Sequence, residues 1–331
     1  MGQLTYIEAS ARALAEEMRR DPKVWALGED LGRGGVFGQY KGLVEEFGPD
    51  RIADTPISEA TIMGAATGAA LVGTRPVVEM RFSDFALCAV DELVNQAAKA
   101  RFMFGGQARV PLVVRQPIGM WRSSAAQHSQ SLEAWYVHIP GLVVVCPATP
   151  ADNHGLLKAA IRADDPVVYM EHKGLWPLTG EVPDDPDPDH LVPLGKARVA
   201  REGGDVTIVT WSRSVHTALE AAALAEARDV SVEVIDLRTL WPWDQEAVFE
   251  SVKRTGRLLV AQEAVQVGGF GAEVAASAAE ALGRDLKAPV RRVGSPRAPI
   301  AYARPLEQLL EISPERLAEA AVDLVRGAVA A

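Results

Sequence analysis

Short, unbroken apolar runs separated by stretches of helical spacing constrain this chain more than any other feature. VWAL at 24–27, PVVEMRF at 76–82, VPLVV at 110–114, GLVVVC at 141–146 and PVVYM at 166–170 do not alternate apolar with polar residues. A strand of that kind is covered on both faces, which predicts a parallel, doubly wound α/β sheet. Helical patterns fill the gaps over residues 6–20, Ser58–Val72, Asp84–Ala100 and Thr149–Ala163. Thr5 and Glu8 have capping-box spacing, and Ile7, Ala11, Leu14 and Met18 then recur at helical intervals.

The rhythm stops once. GLWPLTGEVPDDPDPDHLVP, residues 174–193, carries five prolines and five acids, too many helix breakers and charges for a core element. It restarts with VTIVTW at 206–211, VSVEVIDL at 230–237, RLLVAQEA at 257–264 and VRRV at 290–293, each followed by helical spacing. Ser313, Pro314 and Glu315 supply a cap, a first-turn proline and an acid for a last helix running to about Val329. The 331 residues therefore predict two α/β domains, 1–173 and a smaller 204–331, joined by a linker over 174–203.

Charge and cysteine content narrow the partners. Thirty-four Lys and Arg against 44 Asp and Glu leave a formal charge of −10, which repels phosphate backbones and anionic lipid, so neither nucleic acid nor a membrane is the expected partner. Cys88 and Cys146 are the two cysteines and do not form a CxxC pair, so no disulfide framework is expected and a reducing cytoplasm fits best. No stretch of about 18 uninterrupted apolar residues occurs.

Two side chains stand out as carriers of chemistry. In DTPISEA, residues 54–60, Ser58 falls at an N-cap position and Glu59 in the first turn of a helix rich in Gly64, Ala65, Ala66, Gly68, Ala69 and Ala70. The helix dipole alone favours an acid there. A proline-constrained loop that fixes the carboxylate's direction would equally suit a proton-relay hydrogen bond to a bound heterocycle. His128, in AAQHSQS at 125–131, lies on a loop at the carboxyl side of a strand, the edge at which open α/β sheets bind ligands, although a solvated or turn-stabilising histidine reads the same way. GGFGAE at 268–273 lacks GxGxxG and any following Lys-Ser/Thr pair, so a tight turn into a packed helix is its expected use.

One ordered set of segments goes further: GEDLG, FGPDRIADTPISEA, RPVVEMRFSDF, AAQHSQSLEAW, PGLVVV, LLKAAIRADDPVVYMEH, DLRTLWPWD and KRTGRLLVAQEAVQVGGFGAE. From about Leu4 to Arg326 the chain resembles the beta subunit of the thiamine-diphosphate-dependent decarboxylase component of 2-oxo acid dehydrogenase complexes, including pyruvate, branched-chain and acetoin members. The resemblance implies a pyrimidine-binding, transketolase-like domain followed by a transketolase C-terminal-type domain. It implies that Glu59 hydrogen-bonds a ring nitrogen of the cofactor's aminopyrimidine, so that the exocyclic nitrogen can take the thiazolium proton and the ylide can attack the substrate carbonyl. Phe85 matches the aromatic that stacks on the aminopyrimidine and Ile57 a neighbour that packs beside it. His128 matches a histidine that steadies the intermediate or guides acyl transfer to a lipoyl group. A structural monovalent cation, potassium, is implied at positions matching Leu112, Ala160, Ile161, Ala163 and Asp165, mainly through backbone oxygens.

Thiamine-diphosphate enzymes hold the diphosphate through magnesium on a GDG motif, and this chain has no GDG triplet. The resemblance therefore places magnesium mainly on an alpha subunit and implies a heterotetramer of two alpha and two beta chains that serves a lipoyl acyltransferase core and is inactive without alpha. GMWRSS at 119–124 departs from relatives that are small and glycine-rich there. Trp121, Arg122 and, at a strand end, Arg81 are expected to narrow the site toward a small or anionic oxo acid. VNQAAKARFMFGG and RQPIG resemble acetoin-type members, which sets acetoin beside pyruvate as substrate. A split transketolase subunit that moves two-carbon units, and a noncatalytic docking subunit, are the rival readings.

Overall fold

The computed structural model describes residues 2–183 and 190–327. The chain divides into two compact units, one of residues 1–118 with 135–194, the other of residues 119–134 with 195–331.

The strands of the first unit are β1 (Gly2–Thr5), β2 (Val24–Gly28), β3 (Ile52–Asp54), β4 (Arg75–Glu79), β5 (Val113–Ile118), β6 (Val143–Val145), β7 (Val167–His172) and β8 (Thr179–Val182). Strands β6, β7, β5, β4, β2 and β3 lie side by side in that order, each neighbouring pair parallel. Every residue of β5 and β7 is buried, as unbroken apolar strands require. The helix Tyr6–Arg20 begins at a complete capping box: Thr5 Oγ1 accepts from Glu8 N at 3.2 Å, and Glu8 Oε2 accepts from Thr5 N at 2.8 Å. Its Leu14 and Met18 pack with Leu156, Leu157 and Ile161 of the helix Pro150–Arg162 in one core.

The stretch expected as one helix over Asp84–Ala100 is three pieces: a 3₁₀ turn at Phe85–Ala89, a π-helical segment at Asp91–Ala97 and an α-helix at Ala98–Met103. Ala86, Ala89, Leu93 and Ala97 are all buried, and spacings of three and four satisfy each of these helix types, so apolar periodicity cannot separate them.

In the second unit β9 (Arg198–Arg201), β10 (Val206–Thr210), β11 (Val232–Asp236), a short β12 (Thr239–Trp241), β13 (Leu258–Val265) and β14 (Arg291–Ser295) follow in sequence. Its sheet runs β14, β13, β10, β11, β9, parallel except for β9 at the edge. Alanines of the helix Ser214–Glu226 meet Leu317, Ala321 and Leu324 of the helix Pro314–Arg326 in its core. Ser313 Oγ caps that last helix by accepting from Arg316 N at 3.2 Å. The helix ends at Arg326 with Gly327 at φ 71°; Val329 lies outside the described residues.

The expected linker over 174–203 is not featureless. It contains β8, which pairs antiparallel with β1 from Thr5–Thr179 to Gly2–Val182, and β9 at the second sheet's edge. Pro177 and Pro183 flank β8 instead of interrupting it, and an edge strand needs only one partner. The acidic run 184–189 lies outside the described residues.

The first unit also buries an ionic network. Arg115 on β5, 1% exposed, donates from Nη2 and Nε to Glu171 Oε2 at 2.7 and 2.9 Å and from Nη2 to Ser10 Oγ at 3.1 Å. Its Nη1 lies 3.5 Å from Glu79 Oε2 on β4, and its guanidinium sits over Tyr40. Two buried carboxyls thus share one cation. Burial drives the Glu79 carboxyl up, against the pull of Arg115 and with a further push from Glu171, to about 7. Unfolded, the same carboxyl would titrate in the ordinary glutamate range, near 4.5. The folded state therefore holds a proton that the unfolded chain releases, and stability falls as pH rises between about 4.5 and about 7. Glu79→Gln should remove this slope, worth up to about 3 kcal/mol. Denaturant unfolding of both proteins from pH 4.5 to 8 measures it, with parallel curves counting against the assignment.

Candidate active site

Parallel register sets the geometry. Gly28, the last residue of β2, stands opposite Asp54 of β3 and Glu79 of β4, so three strands end together at their carboxyl edge. Gly28 is required there by close approach, since a Cβ would lie 2.7 Å from the Glu79 carbonyl oxygen. Thr55 N donates to Gly28 O at 3.0 Å and Leu31 N to Asp54 Oδ1 at 3.1 Å, tying the loops after β2 and β3 to one another.

Glu59 opens the helix Glu59–Leu71 on this edge. Ser58 holds the N-cap position, but its side chain does not cap: its Oγ is spent on Thr61 Oγ1 at 2.7 Å. The helix end is left to the dipole's other partners, of which the half-buried Glu59 is the acidic one. Ile57, two residues earlier, is 75% exposed, a large apolar side chain on open display beside a carboxylate.

Glu29, in the turn after β2, was not singled out by sequence reasoning. Burial raises its carboxyl first, the Glu59 charge raises it further, and Arg81 opposes both. Two carboxylates near enough to repel resist being ionised together, so one of them retains a proton more readily than an isolated acid. Arg81 lies 3.3 Å from Asp30 Oδ2 and 3.6 Å from Glu29 Oε2. Its charge is thus already matched by two acids, which weakens the expectation that it selects an anionic substrate. The signal for Glu29 lay in the GEDLG turn, but only the pairing of β2 with β4 brings it to Arg81.

Phe85 begins the 3₁₀ turn after β4 and is partly exposed. It continues a chain of rings: Trp176 to Phe37 at 4.1 Å between centroids, Phe37 to Phe82 at 5.8 Å, and Phe82 to Phe85 at 5.9 Å. Lys173 Nζ sits 5.0 Å over Phe82. These neighbours fix the direction of the Phe85 ring at the sheet edge.

Trp121, Arg122 and His128 belong to the second unit. His128 is not in a loop but ends a short helix, Ala125–His128. Arg122, Ser123 and Ala125 all have positive φ, at 48°, 59° and 61°, a strained run for non-glycine residues. The unit's carboxylates hold it: Met120 N donates to Glu263 Oε1 at 2.7 Å and Ser123 N to Glu307 Oε2 at 3.3 Å. Gly119 N donates to Gln130 O at 3.2 Å, closing the base of the segment. The exposed Arg122 guanidinium stacks over Trp121 at 4.8 Å. GGFGAE acts as the expected packed turn, with Gly271 N donating to Gln262 Oε1 at 2.7 Å and a Cβ on Gly269 meeting Gln262 Nε2 at 1.7 Å.

The residues expected to hold potassium lie at the other edge of the first sheet, where β5 and β7 begin. Leu112 O accepts from Val167 N at 2.8 Å and Ala160 O from Ala163 N at 3.2 Å. Ile161 O and Ala163 O both accept from Arg75 Nη1, at 3.0 and 2.9 Å. A guanidinium bonded to two of the intended ligands does not fit a resident monovalent cation. Among the described residues no group of three or more His, Cys, Asp or Glu could hold a metal ion, and no helix is long and apolar enough to cross a membrane.

Residues 2–179 match the model of the transketolase pyrimidine binding domain and residues 195–317 that of the transketolase C-terminal domain. The chain is 44% identical over 327 residues to a 2-oxoisovalerate dehydrogenase subunit beta of Bacillus subtilis, covering 98% of this chain and 99% of that one. It is 44% identical over 326 residues to an acetoin:2,6-dichlorophenolindophenol oxidoreductase subunit beta of Cupriavidus necator, covering 95% of each. It is 44% identical over 308 residues to a pyruvate dehydrogenase E1 component subunit beta of Rickettsia bellii, covering 93% and 94%. A solved split-gene transketolase, described as an inactive beta4 tetramer, superposes with a TM-score of 0.77 at 26% identity, over 98% of this chain and all of that one.

Gly28→Ala should push β2 away from β4 and cost about 1–3 kcal/mol through overpacking. Thermal unfolding of the variant beside the wild type checks this, and an unchanged midpoint would show that the edge is looser than the 2.7 Å contact implies.

Proposed function

Because the chain belongs to the transketolase-like family of dehydrogenase beta subunits, we propose that it is the half of a thiamine-diphosphate-dependent 2-oxo acid or acetoin dehydrogenase component that activates the cofactor's pyrimidine end. The observation that carries this reading is that Glu59, Ile57 and Phe85 all follow the carboxyl ends of β3 and β4, the strands on either side of β2: an acid, an exposed apolar side chain and a partly exposed ring. Those three suit a flat, nitrogen-bearing heterocycle. When bound, the cofactor would supply an acidic thiazolium carbon and an electron sink for C–C cleavage.

Glu59 would hold a proton at the pyrimidine ring nitrogen. Phe85 would stack on the ring, and Ile57 would cover its flank and exclude water. Glu29, whose carboxyl is raised by burial and by Glu59, is near enough to couple to that carboxylate, and Arg81 anchors Glu29 and Asp30. His128 serves the second half of the reaction, steadying charge on the substrate or passing a proton as the acyl group leaves for a lipoyl sulfur. Arg122, spread over Trp121, biases the entrance toward a small or anionic substrate.

Magnesium and the diphosphate are assigned to an alpha subunit, since this chain has no GDG motif. The assembly read here is a heterotetramer of two alpha and two beta chains around a lipoyl acyltransferase core. An outer helix face of Thr61, Gly64, Ala65, Gly68 and Leu71, followed by Val72 at 83% exposed, suits burial against another chain. The solved relative described as an inactive tetramer of beta chains supports dependence on alpha. The split-transketolase reading rests on that same relative, whose 26% identity stands behind 44% to the dehydrogenase subunits. A cytoplasmic setting agrees with Cys88 and Cys146 forming no disulfide.

Coexpression with an alpha subunit of the same family, then dye reduction with pyruvate, acetoin and branched oxo acids, tests the assignment. Turnover should need both chains, and Glu59→Gln should lower kcat by about 10²–10⁴-fold. Full turnover by this chain alone, or by the Glu59→Gln assembly, would overturn it. Arg122→Ala should reorder kcat/KM among these substrates by about tenfold, and an unchanged order would remove Arg122 from selectivity.

A further inference from the structure

The turn that closes the helix Pro150–Arg162 is unusually rich in guanidinium. Arg75, the first residue of β4 and only 22% exposed, donates from Nη1 to Ile161 O at 3.0 Å and Ala163 O at 2.9 Å, and from Nη2 to Asp164 Oδ1 at 2.9 Å. Arg109 Nη1 donates to the other oxygen of Asp164 at 2.8 Å. Arg101 Nε pairs with Asp165 Oδ1 at 2.6 Å, and its Nη2 reaches Asp164 O at 3.5 Å. Three arginines, from β4, from the helix Ala98–Met103 and from the loop after it, thus converge on four of the five residues 161–165.

We propose that Arg75, with Arg101 and Arg109, takes the place of a monovalent cation at this turn, so that the chain folds and keeps its 161–165 segment without potassium. A cation in such a place would do two things: collect carbonyl oxygens at the end of a helix, where the dipole is negative, and offset nearby carboxylates. Arg75 does the first with one nitrogen shared between two carbonyls. The three guanidiniums do the second for Asp164 and Asp165, and Arg75 also faces Asp21 at 3.9 Å. Lys23 lines the same depression as Asp21, Arg75, Arg109 and Asp164, so the positive groups here already outnumber the negative ones. A potassium ion bound to the carbonyls of Ile161 and Ala163 would approach a guanidinium bonded to those same oxygens, with no surplus acid to hold the pair together. The arrangement is covalently built in, and a fixed guanidinium needs no ion to be recruited from solution.

The inference concerns folding and is independent of the catalytic reading. Its test is thermal unfolding of the full chain, alone and assembled with its alpha partner, in potassium chloride against choline chloride at equal ionic strength. The wild-type midpoint should be the same in both salts to within about 1 °C. Arg75→Met should unfold at a lower temperature, by more than about 2 °C, and regain at least half of that loss in potassium but not in choline. Arg75→Lys, which keeps the charge and loses the fork, should fall between them and guards against a methionine variant that does not fold. A wild-type midpoint that climbs with potassium and saturates overturns the proposal. So does an Arg75→Met variant that folds, is destabilised and responds to neither salt, or a thallium ion found at the Ile161 and Ala163 carbonyls of the wild-type crystal.

Discussion

The buried Arg115 guanidinium is the constraint on which the first unit rests. It lies on the central strand β5 and reaches Glu171 on β7, Glu79 on β4 and Ser10 on the first helix, so four elements are referenced to one rigid fork. A buried ion is stabilising only while its partners stay in place, and each partner here is a strand or helix whose displacement would leave charge unpaired. Glu79 is also the residue whose backbone excludes a side chain at position 28. The buried ionic network and the alignment of strand ends therefore share one residue, Glu79.

Much of the architecture was legible because its causes are local. Thr5 with Glu8 and Ser313 before Pro314 each mark a helix start through bonds made within three residues, and the structure contains both caps. Unbroken apolar strands report burial on two faces, and the sheets are parallel. What stayed hidden depends on distant partners. Strands β8 and β9 look like linker because their composition is poor, and they exist because β1 and β11 offer free edges. The three helix types over 85–103 share one spacing of apolar residues and differ only in hydrogen bonding.

The site divides along the same line. Glu59 was readable as an acid opening a helix after a proline loop, and its neighbours Ile57 and Phe85 came through likeness to a family. Glu29 was not, since nothing near it in sequence hints that strand pairing will bring Arg81 and Glu59 close enough to alter its proton affinity. The histidine segment is harder still. Glu263 and Glu307 follow it by more than a hundred residues, and they accept the backbone N–H groups of a loop whose dihedral angles would otherwise be costly. Ile161 and Ala163 show the converse: their carbonyls suggested an ion, and only the position of Arg75 reveals that they are engaged.

The path of the chain has a practical corollary. It leaves the first unit after Ile118, returns at Trp135 and departs again after Leu194, so the two bodies are joined by three covalent crossings and not by one. A protease or a cloning boundary placed anywhere in 174–194 would strand the histidine-bearing piece with the wrong fragment, and neither product would be a whole body. Dissection of this polypeptide into halves has to excise and re-ligate an internal segment, as it would for an inserted domain.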